Sequence, residues 1–441
     1  MSMKRISIVF LVAVFSLLFC GAVKAQDGAY SSYSPYSIFG VGNIARQGTA
    51  YSKSMGGVGI ASRNNRFINY DNPAAVTARD TLSFMLDFGL SGEGRVFRQG
   101  DVKSANNLLN INNLAFTVPI YKSSAMILGI SPYSSMGYDF SHDINDPVLV
   151  ATSGNINYRS RGQGSIYQLY FGAGVTFWDR LSVGAQLLYY FGNIDKATVM
   201  NFSSSSYRDV YSGYEINVNA VGGKFGIQYE QPLSSGYYLT AGATYKTRSG
   251  IKGYVTDYKY ATISEVSDTL KHKTDTIGLG GVKPSIAGEI GVGVSLRYGD
   301  KWRVEFDYIR SDWGKSNLAN TSGFAISGQS NFSTSTYQSF RAGFEIVPNR
   351  NDIRYYLRKC SYRAGLYYDT EYYKMNGNTV NSYGLTFGVT LPVYQWYNGI
   401  SIGVDIGRRG MPQNGMIRET YATLMLGFNI HDIWFRKPKY D

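Results

Sequence analysis

The chain has 441 residues, with 43 Lys and Arg against 31 Asp and Glu for a formal net charge of +12. The basic residues are scattered and form no stripe of the kind that grips nucleic acid, which excludes a nucleic-acid partner and leaves contact with charged lipid or plain solvation. Glycine and tyrosine are abundant, charged residues make up only 17%, and past the N-terminus no apolar run reaches the roughly 20 residues of a spanning helix.

The N-terminus reads as a cleaved secretory signal. Lys4 and Arg5 precede an apolar run from Ile6 to Phe19. Val23-Lys24-Ala25 then places small residues before a cut at Gln26. A lipoprotein anchored at Cys20 is the rival, and bulky Phe19 directly before that cysteine speaks against it. Removing residues 1–25 leaves Cys360 alone, so no intramolecular disulfide is possible and a buried structural thiol is expected. Residues 26–80 form a second segment, rich in Gly, Ser, Asn and Tyr and poor in strand alternation.

From Thr81 the period becomes two. Tyr383, Leu385, Phe387, Val389 and Leu391 alternate with Ser382, Gly384, Thr386, Gly388 and Thr390. Ile400 to Ile406 and Ala422 to Ile430 repeat the pattern. Many strands with one apolar face and no helices to cover them call for lipid as the cover. The expected fold is therefore all-β, a transmembrane antiparallel β-barrel. Fourteen strands are predicted near 81–90, 113–121, 125–133, 165–178, 180–191, 214–230, 236–247, 285–298, 301–310, 336–346, 359–370, 380–392, 398–407 and 417–430. Links such as Lys122-Ser124, Trp178-Arg180, Gln231-Ser235 and Gly299-Asp300 are tight. Links at 134–164, 192–213, 248–284 and 311–335 are long and polar. That alternation predicts short periplasmic turns and long extracellular loops, with both termini periplasmic. A soluble propeller or sandwich has no reason for it.

With apolar faces outward, Glu289, Arg297, Arg303, Glu305, Asp307, Arg341, Glu345, Arg363, Asp369 and Asp405 face the lumen. Both signs sit on neighbouring strands, so a paired network is favoured over an ion-selective lining. A cation placed at Leu385 would face lipid, and one at Thr386 is expected to be milder. Catalytic motifs are missing. His142, His272 and His431 are read as lying in loops or at a strand end, without a Cys or carboxylate at ligand spacing. No metal, no cofactor and no enzymatic role are expected. Gly40-Val41-Gly42 and Gly57-Val58-Gly59 precede no helix of a βαβ unit and are read as close-packing positions.

The 26–80 segment contains Gly48-Thr49-Ala50-Tyr51-Ser52, then Gly56-Gly57-Val58-Gly59-Ile60-Ala61, then Asn72-Pro73-Ala74-Ala75. Asn113 to Ile120 and Gly129 to Tyr138 follow as candidate second and third strands. These stretches resemble the hatch and first strands of the FadL/TodX-type outer-membrane transport family. More loosely the chain is similar to a FadL-like branch common in Bacteroidota and to PorV-type secretion barrels. The resemblance implies an N-terminal hatch plugging the lumen and uptake of small hydrophobic compounds across the outer membrane. It also implies a lateral opening at an inward kink of the third strand, which points to Ser131, Pro132 and Gly137. Pro132 suits a break because it cannot donate to the ladder, although it could also simply end the strand. Gly48, Ala50, Tyr51, Asn72, Pro73 and Ala74 are the hatch motif positions. The domain plan is a signal at 1–25, hatch at 26–80, barrel at 81–430 and periplasmic tail at 431–441. The alternative function is a structural or assembly subunit of an outer-membrane secretion or protein-insertion complex that keeps this fold. The tail with Trp434 and Phe435 and the 347–358 turn favour it. Outer-membrane lipid, a hydrophobic small molecule and an envelope complex are the candidate partners.

Overall fold

Two-residue alternation of apolar and polar side chains sets the architecture. The computed structural model describes residues 32–79, 83–121, 123–204, 206–263, 266–278, 281–325, 332–393, 398–411 and 415–433. Among them, fourteen antiparallel strands close into a transmembrane barrel with an N-terminal plug. In chain order they are β1 Ser83–Gln99, β2 Val102–Tyr121, β3 Ser124–Ile144, β4 Ile156–Phe177, β5 Leu181–Phe202, β6 Asp209–Pro232 and β7 Tyr237–Lys246. There follow β8 Glu289–Tyr298, β9 Trp302–Asp312, β10 Thr336–Ile346, β11 Ser361–Met375, β12 Asn378–Pro392, β13 Gly399–Arg409 and β14 Arg418–Ile433. β14 pairs with β1 from Ser83↔Ile433 to Arg98↔Arg418, which closes the sheet on itself. Leu385 and Phe387 on β12 are each 52% exposed while Thr386 between them is fully buried, so the apolar face is the outer one. Tyr237, Tyr298 and Trp302 stack together where β7, β8 and β9 meet the short turns, an aromatic cluster at the rim. Among the described residues no helix is long and apolar enough to cross a membrane.

The strands run further than the apolar pattern marks. β1 and β2 are joined by Gly100-Asp101 alone, and β5 and β6 reach Phe202 and Asp209. Three of the four expected long loops are thus largely strand, 311–335 being the exception among the described residues: 134–164 is taken up by β3 and β4, with one short helix at Pro147–Ser153. A hairpin of Lys252–Ile263 and Val266–Thr276 pairs with the upper half of β6, whose lower half pairs with β7. Above the lipid a strand needs neighbours for its backbone but no apolar face, so its sequence loses the lipid signature. The histidines, expected in loops or at a strand end, all pair within strands: His142 with Tyr158 and His431 with Met85, each two residues from its strand's end, and His272 with Tyr258 in the hairpin. β14 runs to Ile433, past the expected end at 430. The signal region 1–25 and the tail residues Trp434 and Phe435 lie outside the described residues.

Residues 32–79 thread the lumen from the hairpin end to the turn end. Near the hairpin end, Tyr36 and Phe39 pack on Tyr373, and Trp313 packs on Tyr372. The Tyr372 hydroxyl donates to the Phe39 and Gly42 carbonyls, both at 2.8 Å. Tyr372 and Tyr373 of β11 thus fasten this end of the plug to the wall.

The facing assignment has a direct test. Leu385→Arg sets a cation against hydrocarbon at a cost of roughly 2–4 kcal/mol at the midplane. It should abolish the heat-modifiable folded band on a gel, whereas Leu385→Phe should keep it. Thr386 is not the tolerant lumen position that alternation predicts, because its Oγ1 accepts from the Gly56 amide at 2.8 Å and the plug fills the space beside it. Thr386→Arg should therefore also lower the yield of folded barrel.

Candidate functional site: the hatch, the wall and the gap between the second and third strands

The hatch motifs are local capping devices that also grip the wall. Thr49 is the N-cap of a one-turn helix, Ala50–Lys53, and Asn72 is the N-cap of the turn Pro73–Thr77. Gly48 has φ +113°, and a side chain there would collide with Ser52, so the turn into the helix needs glycine. The Tyr51 hydroxyl donates to Glu345 at 2.6 Å under the Arg363 guanidinium. Fully buried Asn72 accepts from the Ala74 amide at 3.0 Å and donates to the Ile60 carbonyl at 2.7 Å and the Ile227 carbonyl of β6 at 3.2 Å. Pro73 and Ala74 lie against Gly184 of β5, where a Cβ would come within 2.5 Å of Pro73. Gly56, with φ +75°, sits so close to β10 that a Cβ would be 2.6 Å from the Ala342 carbonyl oxygen.

The wall charges meet the plug as well as each other. Asp307 accepts from the Gly59 and Ile60 amides at 2.7 and 3.0 Å, and Arg341 donates to the Gly57 carbonyl at 2.8 Å. Arg363 donates to Ser54 at 2.9 Å. Arg303 pairs with Glu345 at 3.0 Å and Glu305 at 3.6 Å, Arg297 with Glu230 at 3.2 Å, and Glu289 with Lys246 at 3.0 Å. Arg46 of the hatch reaches Asp405 at 3.1 Å and Asp369 at 3.6 Å, lying 3.4 Å over the Tyr367 ring. Nearer the hairpin end Glu419 receives Arg95 at 2.5 Å and the Ser34 hydroxyl. Sequence reasoning missed Arg46, Gln47, Lys53 and Glu419. One signal was present: the lumen-facing wall residues carry more acids than bases, a surplus that a base on the plug has to meet.

The third strand changes partner halfway up. β2 and β3 pair only from Tyr121↔Ser124 to Leu114↔Ile130. Above that, β3 stays paired with β4 as far as Ile144↔Ile156, with an irregularity at Pro132/Ser134. Pro132 therefore does not end the strand. On its other side β3 bonds to the hatch: Asn43 and Ile44 pair with Ser135 and Ser134, Ala45 donates to the Tyr133 carbonyl at 2.8 Å, and Ser34 donates to the Gly137 carbonyl at 2.7 Å. Gln47 locks the bend. Its Nε2 donates to the Pro132 carbonyl at 3.1 Å, and its Oε1 accepts from Ser131 at 3.1 Å and Gln168 at 2.7 Å. Val102 to Asn113 of β2 keep only β1 as a ladder partner.

Behind this gap lies a cavity of about 650 Å³. Its lining is mixed: Leu108, Ile130 and Tyr133 stand beside Asn110, Asn112 and Gln47, and Lys53, Asp71 and Lys224 add charge. Burial in the plug pulls the Lys53 ammonium down to about 8, with Arg46 adding to the effect, and burial pushes the Asp71 carboxyl up.

A closed fourteen-stranded barrel filled by an N-terminal plug is the architecture of the FadL/TodX-type channels. The solved structures it is similar to include the CymD monoaromatic hydrocarbon channel, at 13% identity and TM-score 0.59, covering 89% of this chain and 98% of that one. The Ralstonia pickettii toluene transporter TbuX matches at 15% and 0.57, over 87% and 98% of the two chains. The Pseudomonas putida toluene transporter TodX matches at 14% and 0.55, over 88% and 98%. The BamG family model matches residues 3–441, and the chain belongs to that family. No curated protein matches it in sequence.

Two substitutions test the grip of wall on plug. Asp307→Ala leaves two buried amides without an acceptor, at about 1–3 kcal/mol each. Amide exchange at Gly59 and Ile60 should accelerate, and Asp307→Asn, which keeps an acceptor, should restore most of the protection. Gln47→Leu removes the bonds to Pro132, Ser131 and Gln168 while leaving the wall ladder intact. Exchange at Ser131 and Tyr133 should then rise with no change in barrel yield.

Proposed function

We propose that this chain is an outer-membrane channel that admits small hydrophobic molecules and passes them between the plugged lumen and the lipid. The observation that carries this reading is the gap between β2 and β3 with a cavity directly behind it, whose lining includes Leu108, Ile130 and Tyr133. A hydrophobic solute entering from the hairpin end would leave sideways through Ser131, Pro132 and Gly137 on one lip and Leu108 to Asn113 on the other. It would avoid the aqueous turn end, which the hatch fills. Support also comes from the names of the structural neighbours, a monoaromatic hydrocarbon channel and toluene transporters. The work asked of the protein is binding and shielding, not bond chemistry.

A second reading, a structural subunit of an outer-membrane secretion or insertion complex, is favoured by the ionic lattice that fixes the hatch. Arg46, Asp307, Arg341 and Arg363 hold the plug at many points, as a static assembly part would require. Purification in mild detergent separates the two: a stable stoichiometric protein partner supports assembly, and a lone barrel carrying apolar ligand or lipid supports transport.

Uptake gives the sharper test. Leu108 borders the cavity on the lumen side of the lattice, between outward-facing Leu109 and its neighbours. Leu108→Glu should leave insertion intact and reduce uptake of an apolar aromatic solute into proteoliposomes, by on the order of tenfold if passing the carboxylate adds about 1.4 kcal/mol to the barrier. Unchanged uptake would remove the gap from the route. Planar-bilayer recordings test the plug: the intact protein should conduct little, and a wide steady channel would mean a general porin instead.

A further inference from the structure

The turn-end links among the described residues are tight with one exception. β10 and β11 are joined by residues 347–360, which read Val-Pro-Asn-Arg-Asn-Asp-Ile-Arg-Tyr-Tyr-Leu-Arg-Lys-Cys. The segment carries four bases, Arg350, Arg354, Arg358 and Lys359, against one acid. That acid is consumed internally. Asp352 accepts from the Arg354 and Tyr355 amides, both at 2.8 Å, and from the Arg358 guanidinium at 3.3 Å. The Asn349 amide donates to the Arg358 carbonyl at 2.9 Å, so the lobe is closed at its neck and held in one shape.

The shaped lobe exposes apolar side chains that a solvated turn would not choose. Ile353 is 93% exposed and Leu357 67%, with Tyr355 and Tyr356 at 57% and 50%. It is also fastened to the lipid-facing wall. Tyr362, outward on β11, donates to the Leu357 carbonyl at 2.9 Å, and Tyr356 donates to the Pro392 carbonyl of β12 at 2.8 Å. Apolar and aromatic side chains continuous with the barrel's outer face, flanked by bases, are the composition of an interfacial anchor.

We propose that residues 347–360 form a phospholipid-binding foot: Ile353 and Leu357 enter the inner leaflet, and Arg354 engages the phosphate of an anionic headgroup. Charge complementarity and continuity with the lipid-facing wall carry the choice of lipid over a protein. The inference rests on the turn end facing the periplasm and is independent of the transport reading, since uptake through the gap does not involve the lobe.

The test uses the full-length protein in proteoliposomes of phosphatidylcholine, with or without phosphatidylglycerol. An environment-sensitive fluorophore is attached at Ile353→Cys in a Cys360→Ser background. Should that background fold poorly, Ile353→Cys alone serves, since Cys360 is fully buried. The expected result is a blue-shifted probe, quenched by spin-labelled lipid, deeper when phosphatidylglycerol is present. Arg354→Gln should weaken phosphatidylglycerol retention, read by native mass spectrometry, on the order of fivefold. A probe that stays solvent-like in both membranes overturns the proposal and leaves the lobe facing water. Equal burial in both membranes, with retention unmoved by Arg354→Gln, overturns the headgroup assignment.

Discussion

A barrel of this size encloses more space than its own inward side chains can fill, and that space lies at the depth of the bilayer. Whatever fills it must satisfy the polar groups the wall turns inward, because a buried polar group left without a partner costs more than a made hydrogen bond returns. The hatch answers with backbone as much as with side chains. Asp307 takes two amides of the glycine-rich stretch, Arg341 takes a carbonyl and Thr386 takes the Gly56 amide. Glycines at 56, 57 and 59 let main chain approach closely enough to be the partner, which a segment with larger side chains could not do. The composition of the hatch is thus a consequence of the wall it serves.

The same accounting governs the gap. A strand in lipid must pair its backbone groups on both sides, or the unpaired edge must face protein or water. β3 meets this rule by exchanging β2 for the hatch above Ile130. Pro132 makes the exchange easier, since it brings no amide to the ladder and its carbonyl goes to Gln47. Among the described residues β2 shows no second ladder partner along Val102 to Asn113, and Leu108 to Asn113 line the cavity.

How much of this was legible in the sequence follows from what each feature answers to. The lipid-facing strands answer to one uniform solvent, so Tyr383 to Leu391 or Ala422 to Ile430 announce themselves by alternation alone. The outer halves of β2, β5 and β6 answer only to neighbouring strands, and polar runs such as Asp209 to Asn219 look like loop. The lumen charges were legible by phase, because each sits between two lipid-facing positions. Their partners on the hatch were not. Arg46, Gln47 and Lys53 stand in irregular chain with no period to read. Ser131 and Gln168 come to Gln47 across 84 and 121 residues. The motif glycines and Asn72 were visible as turn chemistry, but not the wall residues they would meet.

Plug and gap are therefore one mechanical unit. The segment Asn43 to Gln47 holds the inner edge of β3, and Arg46, one residue before Gln47, is pinned to Asp405 and Asp369 on the opposite side of the lumen. Freeing the hatch would break the Arg46 pairs and, at the same step, take Asn43 and Ile44 from the edge of β3. The position of β3 and the seating of the plug therefore rest on the same short segment, and a displacement of one is expected to displace the other.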